Sequence, residues 1–345
     1  DWDDEEATFE HPNLSLNLPK NVQDSLNRQL LVYDLFTEYN VKSLNDDGTV
    51  TFFDEIPYYG IEGLEDSFYS FKKLKADGKL YSTFTAKDEN GQTQKYRIPT
   101  FGEAQLLVTH YPSMFPFDYD ENLNPYVRLW YDSRLNGNEF TETVYLKNDE
   151  NGNYKADITD ESDGFTGVTE LRNSKRESTK VYYNESTLPA YSLTPIDGYK
   201  SYTYCPCYGI RFKNTKQCAA YKWELKHTDT EPMNFYLSIK IKALPKDSDI
   251  TVSDITDNNS YWNKGYLEYN IPIIGERNAN SGQMVNIPRA YFITSSMKNS
   301  TNYIYFGFYV TSMYITNYNI YNSIGSLPLR LVKVKEPAES TQPAE

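Results

Sequence analysis

The stretch LYSTFTAKDENGQTQKYRIPTFGE, residues 80–103, contains the signals that decide the fold class. Its first seven residues alternate between two sets of side chains, the run Asp88–Gly91 predicts a turn, and the following residues return as a second strand. Thr100 and Glu103 have the spacing of a capping box, which predicts a helix over Thr100–Tyr111. A hairpin over Lys79–Ile98 that leads directly into a capped helix indicates an α+β protein.

The rest of the chain shows mainly strand signals. Turns containing Gly, Asn and Asp separate short runs rich in Tyr, Phe, Val, Ile and Thr. We predict a second hairpin from Tyr208–Lys213 and Gln217–Lys226, a strand at Asn234–Ala243 and one long strand over Tyr303–Ile315. Helical spacing of apolar residues predicts another helix over Leu64–Leu74. The expected fold is therefore α+β: a large, mostly antiparallel sheet system with two or three short helices.

Composition excludes several classes of function. The chain has 345 residues, with 34 Lys and Arg against 48 Asp and Glu, and a net charge of -14. Although only 39% of residues are hydrophobic, 15% are aromatic and 32 are Tyr, which argues for a folded chain because disordered chains are poor in aromatics. Binding to nucleic acid needs clustered Lys and Arg, and the sequence has no basic run. No run reaches the roughly 18 apolar residues of a transmembrane helix.

The chain shows no internal linker. We expect an acidic tether over residues 1–20, a single elaborated domain over 21–335 and a disordered tail over 336–345. Within the domain, Val22–Tyr39 either opens as a helix or, from Leu35 onward, forms a strand. The first residue is Asp1 rather than Met, which suits a mature product whose targeting segment was removed, although a trimmed sequence would look the same.

Residue types suited to catalysis or metal binding occur without the spacing that such chemistry needs. The three cysteines, Cys205, Cys207 and Cys218, do not form a zinc pattern and are expected to be free, mostly buried thiols. The acidic run Asp157–Gly164 misses the register of a calcium loop and is expected to be a solvated loop. The sequence contains no nucleophile elbow, P-loop or H-E-x-x-H motif. We therefore expect no catalysis, no metal and no cofactor.

Seven segments resemble, in the same order, motifs of two related families. They are Leu35–Val41, Tyr96–Ala104, Tyr208–Thr215, Ile250–Trp262, Ile271–Arg277, Arg289–Ser296 and Leu327–Lys333. The families are the Fibrobacter-type major paralogous domain and the formylglycine-generating-enzyme-like domains, and the resemblance implies one C-type-lectin-like domain. Phe292, Ile293 and Glu276 depart from the motifs. Formylglycine-generating enzymes use cysteines near the C-terminus, and the stretch Tyr303–Lys333 has none, so that oxidase chemistry is not expected here.

The resemblance also implies a biological setting. The sequence resembles Bacteroidetes surface lipoproteins. This resemblance implies a lipidated Cys upstream of Asp1 and an outer-membrane anchor at the cell envelope, facing the surface or the periplasm. The membrane would be contacted only through that lipid. The expected function is a non-catalytic binding or adhesion module for a glycan or a surface protein. The alternatives are a structural or accessory subunit of a fimbria-like assembly and a degenerate enzyme of the formylglycine-generating type.

The segment Tyr314–Asn322 is the site that the sequence favours for ligand binding. It is dense in Tyr, which offers rigid amphipathic area, and in Asn, which offers adaptable hydrogen bonding. In lectin-like domains the loops near the last strands commonly form the ligand face, so we expect this segment to be such a loop. The alternative is a polar connection whose tyrosines cover the edges of the core. The predicted binding residues are Tyr314, Asn317, Tyr318, Asn319, Tyr321 and Asn322.

Overall fold

The computed structural model describes most of the chain. The described residues are 6–11, 14–19, 31–32, 35–58, 60–88, 90–109, 127–128, 138–155, 157–174, 177–184, 191–229, 234–278, 281–285, 289–298, 302–309, 314–321 and 325–334. The protein is β-rich, with 45% strand and 12% helix, and its sheets are antiparallel. The α+β class, dominated by antiparallel strands with short helices, is therefore confirmed.

The strands are short and numerous. In chain order they are β1 (Glu6–His11), β2 (Leu14–Pro19), β3 (Val41–Leu44), β4 (Val50–Phe52), β5 (Phe68–Tyr69), β6 (Phe84–Lys87), β7 (Thr93–Arg97), β8 (Val127–Arg128), β9 (Asn138–Tyr145), β10 (Gly164–Asn173), β11 (Thr179–Tyr183), β12 (Tyr191–Ser192), β13 (Lys200–Tyr204), β14 (Cys207–Lys213), β15 (Ala219–His227), β16 (Phe235–Ala243), β17 (Leu267–Pro272), β18 (Glu276–Arg277), β19 (Met284–Val285), β20 (Arg289–Met297), β21 (Tyr303–Tyr309), β22 (Tyr314–Tyr321), β23 (Leu327–Pro328) and β24 (Val332–Lys333). The α-helices of the described residues are α1 (Phe71–Ala76), α2 (Phe101–Gln105) and α3 (Val252–Asp257).

The largest sheet has six antiparallel strands in the order β17-β16-β15-β14-β10-β9. Along β16, the apolar residues at every second position, Phe235, Leu237, Ile239 and Ile241, are all buried, as expected for side chains on one face of a strand. Trp223 on β15 lies opposite Ile239 and is also fully buried. This face carries the largest hydrophobic cluster of the protein. The strands predicted at Tyr208–Lys213, Gln217–Lys226 and Asn234–Ala243 are therefore confirmed, with small shifts at their ends.

A smaller sheet brings the two ends of the domain together. Its three strands have the order β24-β7-β6, so the last described strand pairs with the second strand of the hairpin predicted at Lys79–Ile98. Phe36 forms a bridge to Val332, and the Val41 amide donates to the Leu329 carbonyl at 2.9 Å. Residues that are about 300 positions apart in the sequence thus form one wall.

Helix α2 begins where its capping box predicts. The Thr100 hydroxyl accepts from the Glu103 amide, and the Glu103 carboxylate accepts from the Thr100 amide. Gly102 lies against the end of β9, where a Cβ atom would come within 1.6 Å of the Tyr145 carbonyl oxygen. Only glycine allows this approach. The helix ends at Gln105, earlier than predicted, because the next carbonyls are bonded by side chains of the large sheet, as described below.

Three sequence predictions are wrong in detail. The first strand of the hairpin predicted over Lys79–Ile98 begins only at Phe84, and Lys79–Tyr81 is a 3₁₀ helix. The predicted helix Leu64–Leu74 is divided into a 3₁₀ helix at Leu64–Ser67, the short strand β5 and helix α1. Ser70 is extended and its hydroxyl caps α1, so the helical spacing of the apolar residues joined two separate elements. The segment Tyr303–Ile315, predicted as a single strand, is divided between β21 and the start of β22, and these two strands pair antiparallel.

Near the N-terminus the structure adds one element that the sequence did not predict. Strands β1 and β2 form a hairpin inside the stretch that was predicted as a tether. Of the proposed helix Val22–Tyr39, residues 22–30 and 33–34 lie outside the described residues; Phe36 forms an isolated bridge and β3 starts only at Val41. The predicted division into tether, domain and tail stays a prediction.

Candidate ligand-binding groove

An open groove lies beside the small sheet. It has a volume of about 1060 Å³ and is bounded by three parts of the chain and one residue: residues 36–39, residues 50–54 around the end of β4, the β6–β7 hairpin and Lys333. We call it the Tyr39 groove. Its size is that of a site for a small molecule or for a few units of a polymer.

Aromatic side chains form the apolar part of the Tyr39 groove. Phe52 and Tyr96 pack edge to face with ring centroids 5.1 Å apart. Tyr96 is buried, whereas Phe52 and Tyr39 are each half-buried and leave part of the ring accessible. The groove therefore offers aromatic surface that is held from behind by the core.

Polar groups stand on the rim of the groove. Glu38, Asp54 and Asp88 contribute carboxylates, and Asn90 and Gln94 contribute amides. Burial, together with a hydrogen bond to Glu38, raises the pKa of Tyr39 to about 12, so its hydroxyl stays protonated near neutral pH. Carboxylates accept hydrogen bonds, and amides both donate and accept them, so the rim can satisfy a ligand that carries hydroxyl groups.

The turn of the β6–β7 hairpin is fixed by one of these carboxylates. Asp88 Oδ1 accepts from the Asn90 amide at 3.0 Å and from the Gln92 amide at 2.8 Å. This is the Asx-type turn for which Asp followed by Asn and Gly is suited. The turn predicted at Asp88–Gly91 is confirmed, and it places Asn90 on the groove rim.

Arg330 holds the wall that carries Tyr39. Its guanidinium is fully buried and donates from Nε to the Thr37 carbonyl at 3.0 Å, from Nη1 to the Asn270 carbonyl at 2.6 Å, and from Nη2 to the Glu38 carbonyl. Nη1 also lies 3.4 Å from Asn40 Oδ1. Burial lowers the pKa of Arg330 to about 10, which still leaves a cation at neutral pH. The sequence offered Arg330 only as part of a resembling motif and gave no sign of this role.

A second buried arginine serves the core. Arg211 donates to Glu142 from Nε at 3.1 Å and from Nη2 at 2.5 Å, and both side chains are shielded from solvent. Its Nη1 and Nη2 also reach the carbonyls of Leu106 and Gln105, each at 2.8 Å. This cluster fixes the end of α2 against the large sheet. It is closed to ligands.

The residues predicted as a binding loop belong to a strand. Tyr314–Tyr321 is β22, which pairs with β21 and β8, so the expectation of a loop is wrong. Asn322 lies outside the described residues. The described residues that line the Tyr39 groove include none from this segment. A binding role for Tyr314, Asn317, Tyr318, Asn319, Tyr321 and Asn322 stays a prediction.

The groove was missed because its residues come from separate parts of the sequence. Each contributing segment reads as ordinary strand or turn. The one local signal was the run Thr51-Phe52-Phe53-Asp54, in which two aromatic residues lie between a hydroxyl and a carboxylate at the end of a short strand.

Two further predictions can be compared with the structure. The three cysteines are buried thiols, as expected, and burial raises the pKa of Cys218 to about 11. In the acidic run, Asp163 is not solvated: its carboxylate is buried, accepts from the Thr159 amide at 3.1 Å and pairs with Lys147 at 3.1 Å. These bonds hold the pKa of Asp163 well below its usual range. The expectation of a solvated loop is therefore wrong for this residue, which fixes a turn.

The described residues give two negative findings. They contain no group of three or more His, Cys, Asp or Glu side chains placed to hold a metal ion. No helix among them is long and apolar enough to cross a membrane.

Fold and groove together define a β-rich α+β protein of antiparallel sheets with an open, aromatic-lined groove. A family model described as "Domain of unknown function (DUF8237)" matches residues 28–331, which is most of the chain. The protein therefore belongs to the DUF8237 family. No curated protein and no solved structure gives a significant match to it.

Proposed function

We propose that this protein is a non-catalytic binding module that recognises a glycan in the Tyr39 groove. The observation that carries the proposal is the combination of accessible aromatic rings, Tyr39 and Phe52, with a rim of carboxylates and amides in one open groove. A sugar ring has an apolar face of C–H groups and an edge of hydroxyl groups. Aromatic surface suits the first, and hydrogen-bonding side chains suit the second.

The groove is also held ready before any ligand arrives. Arg330 fixes the wall at residues 37–38, the Phe53 amide donates to the Asn40 carbonyl at 3.1 Å, and Asp88 fixes the hairpin turn. A site whose backbone is bonded in this way loses little conformational entropy on binding. This supports a recognition site rather than an accidental gap between elements.

The wider setting is part of the same proposal. The ordered motifs of the sequence favour a C-type-lectin-like domain, and the similarity to Bacteroidetes surface proteins favours a lipid-anchored protein of the cell envelope. A glycan-binding or adhesion role fits such a location, where the protein would meet polysaccharides or a surface protein.

A glycan array with the purified protein tests the proposal, followed by titration of the best ligand. We expect Tyr39→Ala to weaken binding at least tenfold, because it removes aromatic area from the groove lining. Tyr81→Ala is the matched control: Tyr81 is 52% exposed and lies outside the groove lining. It should bind like the wild type.

The same titration separates the groove from the segment that the sequence favoured. Tyr318→Ala with Tyr321→Ala should leave binding unchanged if the Tyr39 groove is the site. If this double variant loses binding and Tyr39→Ala, with an unchanged melting temperature, does not, the site is on β22 and the proposal is wrong.

A further inference from the structure

We infer that the Tyr39 groove selects neutral hexose chains and excludes chains that carry uronate or other acidic sugars. The inference rests on the proposed glycan-binding function and names its ligand class. Three observations carry it: the carboxylates on the rim, the aromatic surface between them, and the charge of the whole protein.

The rim of the groove places carboxylates where a ligand would enter. Asp54 and Asp88 are exposed, Glu38 is half-buried, and all three line the groove. Lys87 and Lys333 are the cations among its described lining residues, so the carboxylates outnumber them. Two like charges about 4 Å apart repel by about 1 kcal/mol in water and by about 4 kcal/mol near a protein surface. An acidic sugar seated between Tyr39 and Asp54 would meet this repulsion.

Neutral sugars meet no such penalty. Their hydroxyl groups donate hydrogen bonds to carboxylates, and bonds to a charged acceptor are stronger than those between neutral groups. Asn90 and Gln94 add amides at the side of the hairpin. The apolar faces of consecutive hexose rings can pack on Tyr39 and Phe52, which are half-buried and supported by the core.

The negative net charge of the whole chain strengthens the selectivity for neutral sugars. A net charge of -14 repels polyanions before they reach the groove, and this long-range effect is screened by salt. The local and the global contributions can be separated, because the local one depends on particular carboxylates and the global one only on the number of charges.

The test uses matched hexasaccharides that differ only at C6. The pairs are β-1,4-glucan and β-1,4-glucuronan, β-1,4-mannan and β-1,4-mannuronan, and α-1,4-galactan and α-1,4-galacturonan. Binding of each is measured by titration calorimetry with the full chain at low salt. We expect at least one neutral hexamer to bind and its uronate counterpart to bind at least tenfold more weakly.

Two double variants assign the selectivity to the groove. Glu38→Gln with Asp54→Asn removes two rim carboxylates and should narrow the neutral-to-uronate ratio at least threefold. Asp197→Asn with Asp247→Asn removes the same number of charges from exposed positions outside the groove lining and should leave the ratio unchanged. A clearly larger narrowing by the rim variant than by the control supports the inference, and an equal or larger narrowing by the control overturns it.

The remaining outcomes separate the inference from the function on which it rests. If a uronate hexamer binds as tightly as its neutral counterpart, or more tightly, and Tyr39→Ala abolishes that binding, the ligand class is wrong and the glycan-binding function stands. If no hexamer of either kind binds and the glycan array is also blank, both proposals are wrong.

Discussion

The two buried arginines of this protein are used in different ways. Arg211 lies on β14 of the six-stranded sheet and forms a salt bridge with the buried Glu142, with distances of 2.5 and 3.1 Å. Arg330 lies beside the small sheet and donates to the carbonyls of Thr37, Glu38 and Asn270 and to the Asn40 amide oxygen, all of them neutral. Each guanidinium therefore fixes backbone carbonyls, but only Arg211 does so with a carboxylate as its partner.

The difference shows how one residue type serves two purposes. Arg211 joins α2 to the core, so its loss would leave the buried Glu142 carboxylate without its cation and with only the Thr169 hydroxyl as a donor. Arg330 fixes the wall of the Tyr39 groove, so its loss would leave carbonyl groups unbonded but no stranded charge. We therefore expect the first to matter more for stability and the second more for binding.

The largest effect is expected for Arg211→Met. The change replaces the arginine with an apolar side chain of similar length. It leaves the negative charge of the buried Glu142 without a cation, which should cost about 3–5 kcal/mol of the free energy of unfolding. Urea unfolding followed by tryptophan fluorescence measures this directly. A loss below about 1 kcal/mol would mean that the pair is not buried as described.

Arg330→Met should have the next largest effect on stability. It leaves several carbonyl groups without their donor, and we expect a cost of about 2–3 kcal/mol because unbonded buried polar groups are destabilising. In the folded fraction, affinity for the glycan should fall at least tenfold, since residues 37–39 lose their anchor. If Arg330→Met is more destabilising than Arg211→Met, the contrast between the two arginines is wrong.

Glu142→Gln gives the smallest of the three effects and sharpens the contrast. It turns the surroundings of Arg211 into a set of neutral acceptors like that of Arg330, while Arg211 keeps its bonds to the Gln105 and Leu106 carbonyls. We expect a loss of about 1–2 kcal/mol, because one amide N–H now faces a donor. Glycan affinity should not change. A loss as large as that of Arg211→Met would show that the buried Arg211 cation needs a carboxylate and that neutral acceptors are not enough for it.

Much of the fold could be predicted because its signals are local. The Thr100–Glu103 capping box, the Asp88–Gly91 turn and the alternating residues of β16 are each decided by neighbours within a few positions. The errors at Leu64–Leu74 and Tyr303–Ile315 arose where apolar residues continue across a break. An extended Ser70 in the first and a hairpin in the second decide the structure, and neither changes the hydrophobic pattern.

The candidate site could not be predicted in the same way. Tyr39, Phe52, Asp88 and Lys333 reach one groove only because β24 pairs with β7 and because Arg330 bonds the segment before β3. These are long-range contacts that no local pattern encodes. The density of Tyr and Asn in β22 predicted a binding loop where the structure has a strand, since the same residue types suit both a sheet and a binding surface.

The most direct test of the account is a crystal structure of the protein with the neutral hexasaccharide that binds best. The account predicts sugar density in the Tyr39 groove, with a ring packed on Tyr39 and Phe52 and hydroxyl groups within hydrogen-bonding distance of Asp54 or Glu38. Density on β22 with an empty groove, or elsewhere on the surface, would contradict it.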